Sequence, residues 1–363
     1  MSYYPAGTII MENTAIVRER SLPPHVYGDV TVSVGIEVAA TQVVAKGEMP
    51  QDFIVVDVAK MLNLKPKQLE QLADLWQVEV GQRIQAGTPL VKARRRREQK
   101  RVPKAPATGT ITLIEDGRVF LRANPRIVEV HARIPGQVIE AHDRGVKIRS
   151  TGTLIQCAWG NGRFGFSNFA FEPENGLASL EQEQNLFSKI SGRVYILERP
   201  ITEEDLRIVA KLELGGLVAP SMPFYLREVA MMLEVPIILT EGFGERRVTR
   251  LSYDLLRKYK DLEGAFDAML PQRWQPERPE IMLPRTLTSA VEADLESSLV
   301  IGMKVRVRTA PYLGEIVEIV RLPDTPIRLT NGLRTKIAEV RVRNREIVPI
   351  PLANLEIMGD SRQ

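Results

Sequence analysis

The chain has 363 residues, of which 44% are hydrophobic and 26% charged, and its formal net charge is +4. These values indicate a globular protein of two to four domains rather than a disordered one. The lone cysteine, the lack of a secretory pattern near the N-terminus and the lack of a run of about 18 apolar residues argue against disulfide-stabilised, secreted and membrane-spanning classes, so we expect a cytoplasmic location.

After an N-terminal segment (residues 1–27), a short pattern occurs twice. Residues 32–38 and residues 78–84 each read as a strand, a glycine turn and a second strand. Gly35 and Gly81 occupy the turns, where glycine supplies a backbone conformation that other residues resist. The repetition predicts two similar β units.

A second pattern places a small residue or a proline before a glycine, and a strand follows at once. It occurs at Gly109, Gly136 and Gly192. Internal repetition of this kind indicates a quasi-symmetric β domain, which we predict over residues 28–150, with a helical insertion at residues 57–76.

The paired glycine turns resemble the barrel-sandwich hybrid fold of biotinyl and lipoyl carrier domains. Those carriers present a modifiable lysine, flanked by methionine, at a hairpin tip. The matching turns here are residues 108–110 and 135–137, and neither contains a lysine. The resemblance therefore implies the carrier fold without its swinging arm, and no cofactor is predicted.

Residues 151–191 are predicted to connect this domain to a small α/β domain at residues 192–270. In the latter, short apolar strands alternate with amphipathic helices in the order βαβαβ, which predicts a parallel sheet. Thr202 and Asp205 resemble a helix capping box, and Ser221 is a plausible cap for the next helix.

Four prolines then predict an extended linker with a short helix at residues 271–300, since proline blocks regular hydrogen bonding. Residues 301–358 return to strand alternation and resemble the KOW motif and its small SH3-like barrel, found in transcription elongation factors and ribosomal proteins. The matching residues are Val305, Val307, Pro311, Tyr312, Gly314, Ile316 and Ile319. The whole chain is thus predicted to be multi-domain and mainly β, with one α/β unit.

Basic residues concentrate in two parts of the chain. We predict that they bind the phosphates of a nucleic acid, with one aromatic ring available for base stacking. The period-two spacing of the strand residues puts each basic trio on one face of its strand. The predicted contacts are Arg94, Arg95, Arg96, Arg97, Lys304, Arg306, Arg308, Tyr312, Arg341, Arg343 and Arg345.

A different site is predicted where the strands of the α/β domain end. Open α/β sheets bind ligands along the carboxyl edge of their strands, and two arginines there favour an anion or a nucleotide. The alternative ligand-binding residues are Ser221, Thr240, Glu241, Gly242, Gly244, Arg246 and Arg247.

Other chemical motifs are weak. Residues 160–165 fit the G-x-G-x-x-G spacing of dinucleotide-binding loops, but the sequence that follows is a poor helix start, so an ordinary turn is favoured. His25, His131 and His142 have no apparent catalytic partner, and their spacing with Cys157 suggests no metal site.

We therefore expect a non-enzymatic modular protein that binds nucleic acid or the transcription or translation machinery, together with protein partners. Two alternatives stay open. One is an enzyme, or an enzyme accessory subunit, with an anion or nucleotide pocket in the α/β domain. The other is a scaffold that makes protein–protein contacts alone.

Overall fold

A computed structural model describes residues 9–92, 102–182, 190–260, 262–271, 277–287, 290–292 and 299–358. The protein is mainly β, and most of its strands join one large, curled sheet of mixed direction. Within the described ranges, no helix has both the length and the apolar character needed to cross a bilayer.

The first eleven strands build two β units, one nested within the other. The strands are β1 (Ile9–Ser21), β2 (Tyr27–Val30), β3 (Glu37–Val38), β4 (Val43–Met49), β5 (Phe53–Asp57), β6 (Arg83–Ile84), β7 (Gly109–Glu115), β8 (Arg118–Ala123), β9 (Arg126–His131), β10 (Gly136–His142) and β11 (Gly145–Gln156). Strands β5 to β8 form their own sheet and core, and this nested unit is inserted between β4 and β9 of the outer unit. The predicted helical insertion consists of α1 (Val58–Met61) and a 3₁₀ segment, Pro66–Leu75.

The two units use the same hydrogen bonds at their repeated glycine turns. In the outer unit the N–H of Gly35 donates to the carbonyl of Val138 at 2.8 Å, and in the nested unit the N–H of Gly81 donates to that of Ile111 at 2.8 Å. Both glycines lie in the left-handed region, with φ of +90° and +85°. The sequence repeat therefore corresponds to a repeat of local structure.

The middle of the chain forms a sheet flanked by helices. Its elements are β12 (Trp159–Gly160), β13 (Phe164–Phe171), β14 (Val194–Ile196), α2 (Glu203–Lys211), β15 (Gly216–Met222), α3 (Arg227–Met232), β16 (Ile237–Phe243), α4 (Arg250–Lys258), β17 (Glu263–Asp267) and β18 (Glu280–Pro284). Strands β13 to β16 are parallel and adjacent in that order, which confirms the predicted βαβαβ arrangement. Helices α2 and α3 pack on one face of this sheet and α4 on the other.

Two predictions for the segment after residue 250 are wrong. The amphipathic pattern of residues 252–270 predicts one helix over that whole stretch, but the helix ends at Lys258 and β17 follows it. The expected proline-rich linker contains β18, which lies between β11 and β17 with Ile281 and Leu283 fully buried. The prolines misled the prediction because Pro279 and Pro284 stand at the two ends of β18, where a missing N–H is tolerated.

The C-terminal strands curl around one hydrophobic core, and we refer to this unit as the barrel. They are β19 (Val291–Glu292), β20 (Lys304–Val307), β21 (Ile316–Arg321), β22 (Ile327–Arg328), β23 (Arg334–Thr335), β24 (Ile337–Arg341), β25 (Ile347–Pro351) and β26 (Leu355–Met358). The order is β26–β20–β21–β24–β25, around a core of alternating valine, isoleucine and leucine side chains. The short helix is predicted near residues 289–299; strand β19 lies at its start, and residues 289 and 293–298 lie outside the described residues.

The N-terminal segment, left without a predicted structure, provides the strand that joins these units. Strand β1 is antiparallel to β11 along most of its length and parallel to β19 and β26. Its Arg18 forms a buried ion pair with Glu280, and Arg20 forms one with Asp267 at 3.2 Å. Strand β1 is thus held by both hydrogen bonds and buried charge.

Candidate functional site

Two of the predicted phosphate-binding residues, Arg306 and Arg308, are inside the protein. Their exposed fractions are 3% and 8%. Arg306 forms an ion pair with Glu356 on the neighbouring strand β26. Arg308 donates to Glu241 Oε2 from Nε at 3.1 Å and from Nη2 at 3.0 Å. Both arginines are therefore unavailable to a phosphate, and the prediction is corrected: this face of β20 is covered by other parts of the protein.

The two basic strands, β20 and β24, are not neighbours, so their basic faces do not merge into one surface. Strand β21 lies between β20 and β24, and its Glu318 stands directly opposite both Lys304 and Arg341. Glu318 accepts a hydrogen bond from Arg341 at 2.7 Å. Lys304 and Arg341 do share the outer face of the barrel, but a carboxylate separates them.

The remaining predicted residues lie at one end of the barrel. Because Arg341 at the end of β24 stands opposite Glu318, the turn that follows, with Arg343 and Arg345, lies at the same barrel end as the loop of residues 308–315 that carries Tyr312. Arg343 and Arg345 are exposed, and Tyr312 is half-buried against the barrel core. The predicted basic run at residues 94–97 lies outside the described residues.

The residues of the predicted ligand pocket support the sheet edge from within. The Ser221 hydroxyl donates to the carbonyl of Arg246 at 3.1 Å and accepts from its N–H at 2.9 Å. Glu241 also accepts from the Thr249 hydroxyl, and the Thr240 carbonyl accepts from Arg308 Nη2 at 2.9 Å. These contacts occupy the side chains of Ser221 and Glu241, whereas Thr240 contributes its carbonyl.

The same contacts shape the loop that follows β16. Gly242 and Gly244 have φ of +98° and +110°, a conformation in which glycine is favoured. The N–H of Gly244 donates to the carbonyl of Met222 at 2.9 Å, which ties the loop to the end of β15. Consequently Arg246 and Arg247 are held at the carboxyl edge of the sheet, exposed to solvent.

A cleft of about 480 Å³ opens at this edge, between three loops. Residues 199–202 follow β14, residues 223 and 225 follow β15, and residues 245–247 follow β16. Two of the predicted residues, Arg246 and Arg247, line the cleft, whereas Ser221 and Glu241 do not. The cleft is the place where parallel α/β sheets bind ligands.

Two aromatic side chains project beside the cleft and were missed in the sequence. Phe224 is 68% exposed and Tyr225 is 73% exposed. Phe224 packs edge-on against Phe243, with 5.1 Å between the ring centroids. Phe243 packs in turn against the buried Trp159, with 5.2 Å between their ring centroids. Their sequence signal is the pair of adjacent rings just after a proline at the end of a strand.

The arginines that the cleft presents to solvent are Arg246 and Arg247, beside the exposed carboxylate of Glu245, because Arg199 is neutralised. Arg199 forms ion pairs with Glu172 and with Asp205, the latter at 2.7 Å. Burial alone would raise the pKa of Asp205, but hydrogen bonds from Arg199 and Thr202 outweigh burial and hold that pKa below its ordinary value. In the described part of the chain, no carboxylate forms an ion pair with Arg246 or Arg247.

The barrel adjoins the cleft directly. Arg246 Nη1 donates to the carbonyl of Arg308 at 3.4 Å, at the point where β20 passes into the loop of residues 308–315. The loop that begins at this contact lies at the same end of the barrel as the turn with Arg343 and Arg345. We call this surface, from Tyr225 through Arg246 and Arg247 to Arg343 and Arg345, the junction surface.

Other candidate chemistry finds little support. Cys157 is fully buried, and burial raises the pKa of its thiol. The glycine-rich loop at residues 160–165 leads into strand β13, not into a helix, and Asn161 in it donates to the carbonyls of Ala230 and Val235. The loop is thus a turn that fastens α3, as the sequence favoured.

No protein-family model matches the chain, and no curated protein matches it in sequence. The geometry of the junction surface is therefore the basis on which a function is argued.

We predict that Arg308→Met destabilises the protein by about 3–5 kcal/mol, because it leaves Glu241 buried without its charged partner. The double variant Arg308→Met/Glu241→Leu removes both charges and should cost less than this single change. Urea unfolding of the wild type, the two single variants and the double variant measures the coupling free energy between Arg308 and Glu241. A double variant as unstable as the sum of both single variants would contradict a direct ion pair.

The capping box of Thr202 and Asp205 beside the cleft predicts that the stability of the protein depends on pH. Because the pKa of Asp205 is lowered in the folded state, its stabilising effect is fully present above its unfolded pKa of about 3.9 and is lost as the pH falls through the folded value. Asp205→Asn should therefore be less stable than wild type by about 1–2 kcal/mol at pH 7, with the gap closing below about pH 4. Thermal unfolding from pH 7 to pH 2.5 tests this, and a gap that stays constant would refute it.

Proposed function

We propose that the protein is a non-enzymatic binder of single-stranded nucleic acid, and that the strand lies along the junction surface. The observation that carries the proposal is the exposed ring of Tyr225 at the cleft, beside Arg246 and Arg247, which form no ion pair with any described residue. Aromatic rings stack on unpaired bases and arginines contact the phosphates between them, which is the combination that single-strand binders use.

Two features favour a single strand over a duplex. The rings stand next to a concave surface, so they can stack only on bases that are free of a partner strand. Besides the arginines of the cleft, Arg343 and Arg345 are exposed on the barrel turn. A strand of several nucleotides uses both groups.

The fold supports this proposal by analogy. We propose that the outer and nested β units have the barrel-sandwich hybrid fold and that the C-terminal strands form an SH3-like barrel of the KOW type. The equivalent glycine turns of the two units and the strand order β26–β20–β21–β24–β25 support these assignments. In this arrangement the barrel positions basic residues next to the α/β unit, and the β units are available for protein partners.

A second candidate function is a site for a single nucleotide. The volume of the cleft, about 480 Å³, lies within the range of small-molecule sites. A thermal-shift screen with nucleoside mono-, di- and triphosphates tests it, because a ligand that binds the folded state raises the unfolding temperature. A shift with mononucleotides and no binding of oligonucleotides would favour this candidate.

The nucleic-acid proposal predicts that Arg246→Ala/Arg247→Ala weakens binding of a labelled oligothymidylate and reduces the slope of log affinity against log salt by about 1.4, or about 0.7 for each lost phosphate contact. Tyr225→Ala should cost about 1–3 kcal/mol of binding free energy and leave the slope unchanged, because stacking releases no counterions. Fluorescence anisotropy between 50 and 300 mM salt measures both effects.

Two controls sharpen this experiment. Tyr225→Phe keeps the ring and should bind as the wild type does. Arg83→Ala/Arg126→Ala removes the same charge from exposed sites on the β units and should leave the slope unchanged. Equal losses of affinity in the control and cleft variants would mean that only net charge matters. The assignment of the junction surface as the binding site would then be wrong.

The backbone conformation of Arg345 predicts that replacing this residue has opposite effects on stability and on binding. Its φ of +62° is in the left-handed region, which costs a non-glycine residue about 1 kcal/mol. Arg345→Gly should stabilise the protein by about 0.5–1 kcal/mol and weaken oligonucleotide binding. Arg343→Gly, two residues earlier, is the matched control, because it removes the same charge without this gain in stability. If Arg345→Gly binds as tightly as the wild type, this arginine lies outside the contact.

A further inference from the structure

The hairpin made by β22 and β23 carries an arrangement of charge unlike that of the other strands. It forms a separate two-stranded ladder between β21 and β24, in which Arg328 stands directly opposite Arg334. Both side chains are exposed. Residues directly opposite each other in a ladder present their side chains on the same face, with Cα atoms about 4.5–5.5 Å apart.

Elsewhere in the described sheets, charged residues that stand opposite each other have opposite signs on exposed faces. The exposed cross-strand ion pairs are Lys46–Glu129, Asp57–Arg118, Glu140–Lys147, Glu318–Arg341 and Arg321–Glu339. This pattern is the one expected physically, since like charges opposite each other are destabilising. Arg328 and Arg334 depart from it.

A like-charged pair in the interior shows how this protein compensates such an arrangement. Asp267 stands opposite Glu280 on neighbouring strands. Arg20 and Arg133 bind Asp267, and Arg18 binds Glu280, so each carboxylate has its counter-charge. For Arg328 and Arg334, no carboxylate of the described ranges supplies one.

The hairpin holds its two arginines in a defined position. At its tip the N–H of Leu329 donates to the carbonyl of Leu333 at 2.8 Å, and the N–H of Gly332 donates to that of Leu329 at 2.9 Å. The Asn331 side chain accepts from the N–H of Leu333 at 3.1 Å. An Asn-Gly turn closed in this way fixes the register of the ladder, so the two guanidinium groups are arranged before a ligand arrives.

We infer that this hairpin is a second phosphate-binding element, in which Arg328 and Arg334 together contact the backbone of a nucleic acid. The inference rests on the proposed function. Guanidinium groups match phosphate oxygens in charge and geometry, and a phosphate between them replaces their mutual repulsion with two attractions.

The position of the hairpin sets the length of strand that it requires. The hairpin begins after Arg321, at the opposite end of β21 from the loop that adjoins the cleft. Strand β21 has six residues, so the two ends of the barrel are about 20 Å apart. A short oligonucleotide can contact only one end, whereas a longer one spans both.

The test compares oligothymidylates of 4 and 20 nucleotides by fluorescence anisotropy. Arg328→Ala/Arg334→Ala should bind the 20-mer about tenfold more weakly, with a salt slope smaller by about 1.4, and should bind the 4-mer as the wild type does. Arg334→Glu creates the opposite-charge pair found on the other strands, so it should raise the unfolding temperature while weakening binding of the 20-mer. This variant separates a binding defect from a folding defect.

The matched control is Arg321→Ala/Arg118→Ala, which removes two exposed arginines that already have carboxylate partners. It should change the binding of neither the 4-mer nor the 20-mer. If the hairpin variants bind the 20-mer like the wild type while the cleft variants lose binding at both lengths, the hairpin inference is wrong and the proposed function stands. If the cleft variants bind normally and the hairpin variants lose the 20-mer, the hairpin role stands and the junction surface is wrong.

Discussion

The contact between Arg308 and Glu241 determines how the C-terminal barrel sits on the α/β unit. A buried guanidinium requires a charged partner and hydrogen-bond acceptors, and this one finds them in Glu241 and the carbonyl of Thr240 at the end of β16. The position that satisfies Arg308 also brings its own carbonyl to Arg246. This ion pair therefore fixes the barrel against the cleft loop at the point where the two meet, while β1 joins the units elsewhere.

The same principle operates along β1. Arg18 and Arg20 lie on one face of β1. Arg18 binds Glu280 on β18, and Arg20 binds Asp267 on the adjacent strand β17. Buried ion pairs add little to stability over apolar packing, but a shift of register by one residue would leave these four charges unpaired in the interior. The pairs therefore select one alignment of the N-terminal strand with the central sheet, and β1 in turn carries the last barrel strand, β26.

Local signals in the sequence predicted local structure well, and long-range contacts account for the errors. Thr202 and Asp205 form the capping box that their spacing suggested. The alternation of Lys304, Arg306 and Arg308 correctly predicted a strand, but alternation cannot tell whether the polar face meets solvent or another unit. The carboxylates that cover this face, Glu241 and Glu356, are distant from one another in the chain. The cleft was only half predicted for a similar reason: Arg246 and Arg247 were expected, while the exposed Tyr225 was overlooked because its neighbours fit a helix.

The distribution of charge connects these observations. Where the protein buries an arginine or presents one beside an opposing charged strand residue, a carboxylate accompanies it, as with Arg306 and Glu356 or Arg341 and Glu318. In the described part of the chain, the arginines of the cleft loop, the barrel turn and the β22–β23 hairpin have no such partner. The barrel turn and the hairpin lie at the two ends of one small barrel, and the cleft loop adjoins the first of these ends. A protein that neutralises its internal arginines so consistently, and leaves these exposed, has positive charge available for an anion that is not part of the chain.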